Sequence, residues 1–215
     1  MESPLRPPAE PDFRLIETLG YRPGHGLIRQ ERHLARMARS AAAFGIAFDI
    51  NAAIVLLNRI EGQAPLRCRL TLAADGRFDL TTGTLDENPP LWQLGIAGQR
   101  LSATDIWLRH KTTRRAIYDI ARASLPPGTD ELLFLNDRDE LCEGTITNLF
   151  LTMPDGRRLT PALSSGLLPG VLRAELIDNK QVTEADLTLT DLRNAQTIHL
   201  GNSLRGLIRA ELVEP

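Results

Sequence analysis

The chain has 215 residues, of which 42 % are hydrophobic and 24 % charged, with a formal net charge of −2. These values exclude a disordered or collagen-like chain, and they give nucleic acid or a membrane surface no whole-chain field to follow. Two distant cysteines without CxxC spacing, and an N-terminus "MESPLRPPAE" lacking the apolar core of a signal peptide, point to the reducing cytoplasm.

In chain order, residues 1–10 are rich in proline and acid and read as a loose end. "FRLIETLGY" (13–21) alternates as a strand, and "RPGHG" (22–26) is turn chemistry before a short strand "LIR". Over 30–44, Leu34, Met37, Ala38 and Ala41 share one helical face, with Gly45 as the stop. Asp49 caps a second helix running to about Arg59. "LRCRLTLAADGRFDLTTGTL" places two alternating runs around Asp75-Gly76, which predicts a hairpin. "DENPP" (86–90) is a composition break suited to a linker, so a small first lobe ends near residue 88 and a second lobe, carrying Lys111, covers 89–215. That second lobe starts with a strand near "WQLGIAG" and continues with a helix from about Thr113 to Ala123. "ELLFLND" and "LCEGTITNLFLT" read as strands either side of a turn at Asp137–Asp139. A helix follows Pro169-Gly170, and "TIHLGNSLRGLIRAEL" reads as strand, tight turn, strand. Hairpins in both halves with interspersed helices predict an α+β protein of two lobes.

Lys111 and Lys180 are the two lysines among 25 basic residues. Arginine would serve as well for a surface charge, but only lysine has an amine that can lose its proton and attack a carbonyl. Lys111 stands at a strand-to-helix junction, beside His110, Thr112 and Thr113. Glu143 precedes a Gly-Thr bend, and Asn148 follows it in an alternating run with Ile146 and Phe150. The loop "SSGLLPG" feeds a helix whose first free N–H groups lie near Val171 and Leu172, a terminus suited to an anion. "GNSLRG" (201–206) is a second tight turn with small polar side chains and exposed N–H groups. His33, Arg36 and Ser40 lie about one turn apart on the first helix; spacing leaves Arg36 either aimed at the same anion or solvated beside Arg29, Arg32 and Arg39. The four histidines, His25, His33, His110 and His199, lack metal-ligand spacing, so no metal is expected. An amine, a carboxylate, a backbone anion cup and an arginine together form the inventory for pyridoxal 5′-phosphate.

The segments "LIETL" (15–19), "RHLARMARSA" (32–41), "HKTTRRAIYD" (110–119), "DELLFLN" (130–136), "CEGTITNLF" (142–150), "LTPALSSGLLPGVLR" (159–173) and "GNSLRG" (201–206) stand in an order that resembles the class IV aminotransferase family. These are the fold-type IV pyridoxal-phosphate enzymes, D-amino-acid-aminotransferase-like in fold, and the resemblance is nearest to the 4-amino-4-deoxychorismate lyase branch. It implies a small α+β N-terminal lobe, a larger pseudo-barrel C-terminal lobe, and a homodimer. It further implies that Lys111 forms the Schiff base, that Glu143 keeps the pyridine nitrogen protonated, and that Arg36, the N–H groups of Val171 and Leu172, and the Asn202-Ser203 turn hold the phosphate. Asn148 would support the site. Arg115 and Arg205, which flank the motifs, are candidate partners for substrate carboxylates, with scaffold ion pairing as the other reading of each.

The lyase reading gives 4-aminobenzoate and pyruvate, for folate precursor synthesis. Two alternatives are a transaminase for branched-chain or D-amino acids, and an incomplete or degenerate pyridoxal-phosphate-binding subunit. Family members carry a longer stretch before the "LIETL" segment. The shortened form resembles the lyase portion fused behind aminodeoxychorismate synthase, which makes a synthase partner a further expectation.

Overall fold

The computed structural model describes residues 13–213. The expectation for residues 1–10 lies outside the described residues.

Contact within the chain separates two compact units: one runs to Glu87 and takes back His110–Arg114, and the other comprises Asn88–Arg109 and the chain from Arg115 onward. The division falls inside the "DENPP" segment. Lys111, assigned from sequence to the second lobe, belongs to the first unit, and the reason is main-chain pairing. Strand β1 (Arg14–Arg22) bonds the returning segment through Ile16 N–H to the Lys111 carbonyl at 2.9 Å and Thr113 N–H to the Arg14 carbonyl at 2.9 Å.

The first unit holds a four-stranded antiparallel sheet in the order β2-β1-β3-β4, with β2 at Gly26–Leu27, β3 at Leu66–Ala73 and β4 at Phe78–Thr84. The β3–β4 turn is the one predicted at Asp75-Gly76, where Gly76 takes the positive φ (85°) the turn requires. Helix α1 (Gln30–Phe44) buries Leu34, Met37, Ala41 and Phe44 and stops at Gly45, also left-handed. In α2 (Ile50–Leu57), Asp49 caps as expected, accepting from the N–H groups of Asn51 and Ala52 at 2.9 and 3.1 Å.

In the second unit, β5 (Leu91–Leu101), β6 (Glu131–Asn136), β7 (Leu141–Gly144), β8 (Asn148–Thr152), β11 (Thr197–Asn202) and β12 (Gly206–Leu212) pair in the circular order β8-β11-β12-β5-β6-β7, and β7 closes onto β8. Strands β9 (Arg158–Pro161) and β10 (Thr183–Ala185) extend the sheet beyond β8. Each closing strand contributes to one apolar cluster: Leu94, Leu133, Leu141, Leu149, Leu200 and Ile208. The alternate residues of β6, Leu132 and Phe134, face a second cluster with Tyr118 and Ala121 of α3 (Ala116–Ala123). Both faces of β6 are thus covered, so its apolar run shows no polar alternation. Helix α4 (Val171–Asp178) packs Leu172 and Leu176 against Phe150 of β8, and α5 (Leu189–Asn194) is closed by a Thr188–Asp191 capping box.

Two expectations need correction. The helix expected from Thr113 begins at Ala116, because the main chain before it is paired with β1: Thr112 bridges Leu15, and Thr113 N–H bonds the Arg14 carbonyl. The single strand expected over 141–152 is a hairpin, β7 and β8, with Gly144 N–H bonded to the Thr147 carbonyl at 2.8 Å. Ile146 therefore sits in a turn and not on a strand face with Asn148 and Phe150.

Candidate active site

In the first unit the alternation of β1 puts Glu17 on the same face as Leu15 and Leu19, toward α1. An acid in an apolar register must find donors or stay protonated. Glu17 finds them on α1: Arg36 Nε and Nη2 donate to its two oxygens at 2.8 and 2.6 Å, and His33 Nδ1 lies 2.6 Å from Oε2. Burial works against the charge of Glu17, but Arg36 and then His33 outweigh it and hold the carboxyl down at about 2. Burial also pushes His33 below its ordinary value, against the pull of Glu17, and the charges of Arg36 and Lys111 add to the lowering. The third residue of the predicted face, Ser40, has its hydroxyl 3.0 Å from His110 Nδ1, and the His110 ring packs edge-on to Phe44 at 4.8 Å. Strand β1 fixes the main chain from the Lys111 carbonyl to Thr113, and α1 holds the His110 side chain just before Lys111, whose own side chain is half-buried.

Arg36, expected to reach an anion, commits two guanidinium nitrogens to Glu17. Glu17 itself escaped the sequence reading, although an acid between Leu15 and Leu19 in a period-2 strand was the available signal.

In the second unit the β7–β8 hairpin sets Glu143 directly opposite Asn148. Glu143 is 6 % exposed. Its Oε1 accepts from the Tyr118 hydroxyl at 2.7 Å and its Oε2 from Asn148 Nδ2 at 3.4 Å. Asn148 Nδ2 also reaches the Leu168 carbonyl at 3.1 Å, in the loop that enters α4. At the N-cap of α4, Gly170 provides no side-chain cap, so the first N–H groups, those of Val171 and Leu172 among them, point out of the helix end. A Cβ at Gly201 would stand 3.1 Å from a Leu172 methyl, which shows how closely the start of α4 meets the end of β11 and the Asn202-Ser203 turn. That turn is braced from within: Asn202 Oδ1 accepts from Leu204 and Arg205 N–H at 3.0 and 2.9 Å, and its Nδ2 donates to the Ile146 carbonyl at 3.0 Å. The Asn202 side chain is thereby spent within the turn, and Ser203 beside it is buried.

The hairpin turn is itself held by a residue the sequence reading passed over. Glu131, 0 % exposed, accepts from the N–H groups of Thr145 and Ile146 and from the hydroxyls of Thr145 and Thr147. At the head of a strand such an acid reads as a turn residue, so nothing local announced it.

The two arginines considered for substrate carboxylates are engaged by the scaffold. Arg115 donates to Asp119 and to the Thr145 carbonyl, both at 2.8 Å, and Arg205 donates to Asn88 Oδ1 at 2.9 Å while lying 5.8 Å from the Trp92 ring centre. No described helix is long and apolar enough to cross a membrane.

Comparison with known proteins bears on this arrangement. The chain is 33 % identical over 122 residues to the aminodeoxychorismate lyase of Vibrio harveyi, covering 54 % of this chain and 44 % of that one. A Schizosaccharomyces pombe protein provisionally named aminodeoxychorismate lyase is 33 % identical over 195 residues, 84 % of this chain and 82 % of its own. The chain thus spans less than half the length of the Vibrio harveyi relative and most of the Schizosaccharomyces pombe one. Among solved structures, a Mesorhizobium loti protein provisionally described as an amino-acid aminotransferase superposes with a TM-score of 0.89 at 44 % identity, covering 94 % of this chain and 100 % of that one. The fold is that of the fold-type IV aminotransferase-like enzymes, α+β with a closed six-stranded barrel. Residues 14–213 match the model of the amino-transferase class IV family, and to that family the chain belongs.

Proposed function

We propose that the chain is a pyridoxal-phosphate-dependent lyase that converts 4-amino-4-deoxychorismate to 4-aminobenzoate and pyruvate. The observation that carries the cofactor reading is Glu143: a buried carboxylate that accepts from Tyr118 and Asn148, on the same unit as an uncapped helix N-terminus beside a tight turn. The donor set fits the group. The Lys111 amine suits its aldehyde, Glu143 its ring nitrogen, and the N–H groups of Val171 and Leu172 with the Asn202-Ser203 turn its phosphate.

Bound pyridoxal phosphate supplies an electron sink at the carbon bearing the substrate's amine. Lys111 Nζ takes the proton from ring C4 of the substrate. The C4–H electron pair becomes the new ring double bond as the C3–O bond to the enolpyruvyl group breaks, and the ring becomes aromatic. Lys111 then gives a proton to the departing enol carbon, which leaves as pyruvate. Glu143 keeps the ring nitrogen protonated throughout.

Names carried by the Vibrio harveyi and Schizosaccharomyces pombe relatives support the lyase. A transaminase is the second reading, favoured by the 44 % identity to the Mesorhizobium loti protein. One experiment separates them. The purified chain and Lys111→Ala are mixed with pyridoxal phosphate, reduced with borohydride, and then assayed unreduced with aminodeoxychorismate and separately with amino acid plus keto acid. A visible band fixed on Lys111, with release of 4-aminobenzoate and pyruvate and no amino transfer, is expected. Amino transfer without 4-aminobenzoate replaces the lyase by the transaminase, turnover only with an added synthase makes the chain a dependent subunit, and no band overturns the cofactor reading.

A further inference from the structure

Tyr118 lies in α3, 9 % exposed, edge-on to Phe134 with ring centres 5.2 Å apart and with the Arg115 guanidinium 5.5 Å from its own ring centre. Packing alone would be served by phenylalanine, since a buried phenol is unfavourable unless its hydroxyl is bonded. Here the hydroxyl is spent on a carboxylate: it donates to Glu143 Oε1 at 2.7 Å, the short range of a charge-assisted bond. The second donor, Asn148 Nδ2 on Oε2, is longer at 3.4 Å, so Tyr118 is the stronger of the two. Burial, and then the charge of Glu143, push the phenol well above its ordinary value; Cys142 adds to this and Arg115 opposes it. Cys142, next to Glu143, is itself pushed up to about 12 by burial, and so remains a neutral thiol at working pH. Tyr118 is therefore a permanent donor.

We infer that Tyr118 is a positioning residue for the proposed cofactor: its hydroxyl keeps Glu143 ionised and turned, so that the proton shared with the cofactor's ring nitrogen stays on the nitrogen. This rests on the reading in which Glu143 meets that nitrogen. A donor on one carboxylate oxygen lowers the proton affinity of the whole group, and in a shared-proton pair the proton then stays with the other partner. Removing the donor moves it toward the carboxylate and weakens the electron sink without touching Lys111.

The test has a cofactor-free arm and a loaded arm. The chain, labelled with ¹³C at the glutamate carboxyls, is titrated by NMR, and the Glu143 resonance is assigned by its loss in Glu143→Gln. Tyr118→Phe is expected to raise the proton affinity of Glu143 by about tenfold. The chain has two tyrosines, Tyr21 and Tyr118. In a Tyr21→Phe background, 3-fluorotyrosine therefore modifies Tyr118 alone, strengthens the donor, and shifts Glu143 the opposite way. This version keeps the test decisive should Tyr118→Phe fold poorly. In the loaded arm, pyridoxal phosphate labelled with ¹⁵N at the ring shows a protonated nitrogen in the wild type and a displacement toward neutral pyridine in Tyr118→Phe. A wild-type chain that takes up no pyridoxal phosphate overturns the functional reading, and with it the role of Tyr118 toward the cofactor. A chain that binds it, with Glu143 and the ring nitrogen unmoved by either change at Tyr118, overturns the inference alone.

Discussion

Glu17, Glu131 and Glu143 are buried, and each is reconciled with its site by a different donor set: a guanidinium and an imidazole for Glu17, backbone and hydroxyl groups for Glu131, a phenol and a carboxamide for Glu143. The consequences differ. Where the donor is Arg36, removing the acid leaves a buried cation behind, the costly way to break a buried pair. Glu17→Gln is accordingly expected to lose about 3–5 kcal/mol of stability at pH 7 in urea titrations, while Ser40→Ala, which removes one hydroxyl contact to His110, is expected to lose only about 1 kcal/mol. The wild type carries a pH signature of the same cluster. The carboxyl of Glu17 is lowered from 4.5 to about 2, so its stabilisation is complete above pH 4.5 and drains away as pH falls toward 2. His33 is lowered from 6.5, so the unfolded chain takes up its proton first, and stability also falls as pH drops below that value. Both slopes have one sign, and in Glu17→Gln the loss between pH 4.5 and 2 should flatten; an unchanged acid limb would show that the cluster is not its source.

At the scale of elements, the β7–β8 hairpin and the start of α4 are joined by Asn148, and Gly170 is the point where the fit is tightest. Its backbone (φ −61°, ψ 142°) suits any residue, so alanine there would ordinarily stabilise by reducing the freedom of the unfolded chain. A Cβ at that position, however, collides with Asn148 Oδ1. Gly170→Ala is therefore expected to weaken pyridoxal phosphate retention by about 5- to 150-fold, the effect of a 1–3 kcal/mol overpacking displacement, and Asn148→Ser added to it should restore part of the loss by clearing the space. Equilibrium dialysis of the two variants checks this, and equal retention by Gly170→Ala and the wild type would remove Asn148 as the link. The same hairpin shows where sequence reading stopped. Alternation correctly marked Leu149 and Phe150 as opposite faces of a strand, and the helix after Gly170 followed from its punctuation. The break at Gly144–Thr147 was hidden because what makes it is Glu131, thirteen positions before Gly144, meeting the turn through space. Lys111, Glu143 and Asn202 were legible as types of chemistry at junctions; the acceptor Glu17 and the donor Tyr118 were not, since their partners lie 16 to 25 positions away.

For the whole molecule, chain order and compact units do not coincide. The chain leaves the first unit at Glu87, returns for His110–Arg114, and leaves again, so Lys111 rides on a five-residue segment tied to β1 by main-chain bonds. Closure of β7 onto β8 removes the open edges of the barrel strands, whereas the sheet of the first unit keeps β2 and β4 at its ends. A ligand bound only by the native chain adds RT ln(1 + [L]/Kd) to its stability, about 2.7 kcal/mol at a hundredfold excess over Kd. For a chain of this size each kcal/mol moves the melting temperature by about 2–4 °C, so saturating pyridoxal phosphate should raise it by roughly 5–10 °C. Lys111→Ala keeps the proposed phosphate cup and Glu143 but has no amine to bond the aldehyde, and its shift at the same concentration should fall to less than half. Thermal melts of the two proteins with and without pyridoxal phosphate decide the matter. Equal shifts would mean that the cofactor is held without Lys111, and a shift in neither would mean that the native chain does not bind it.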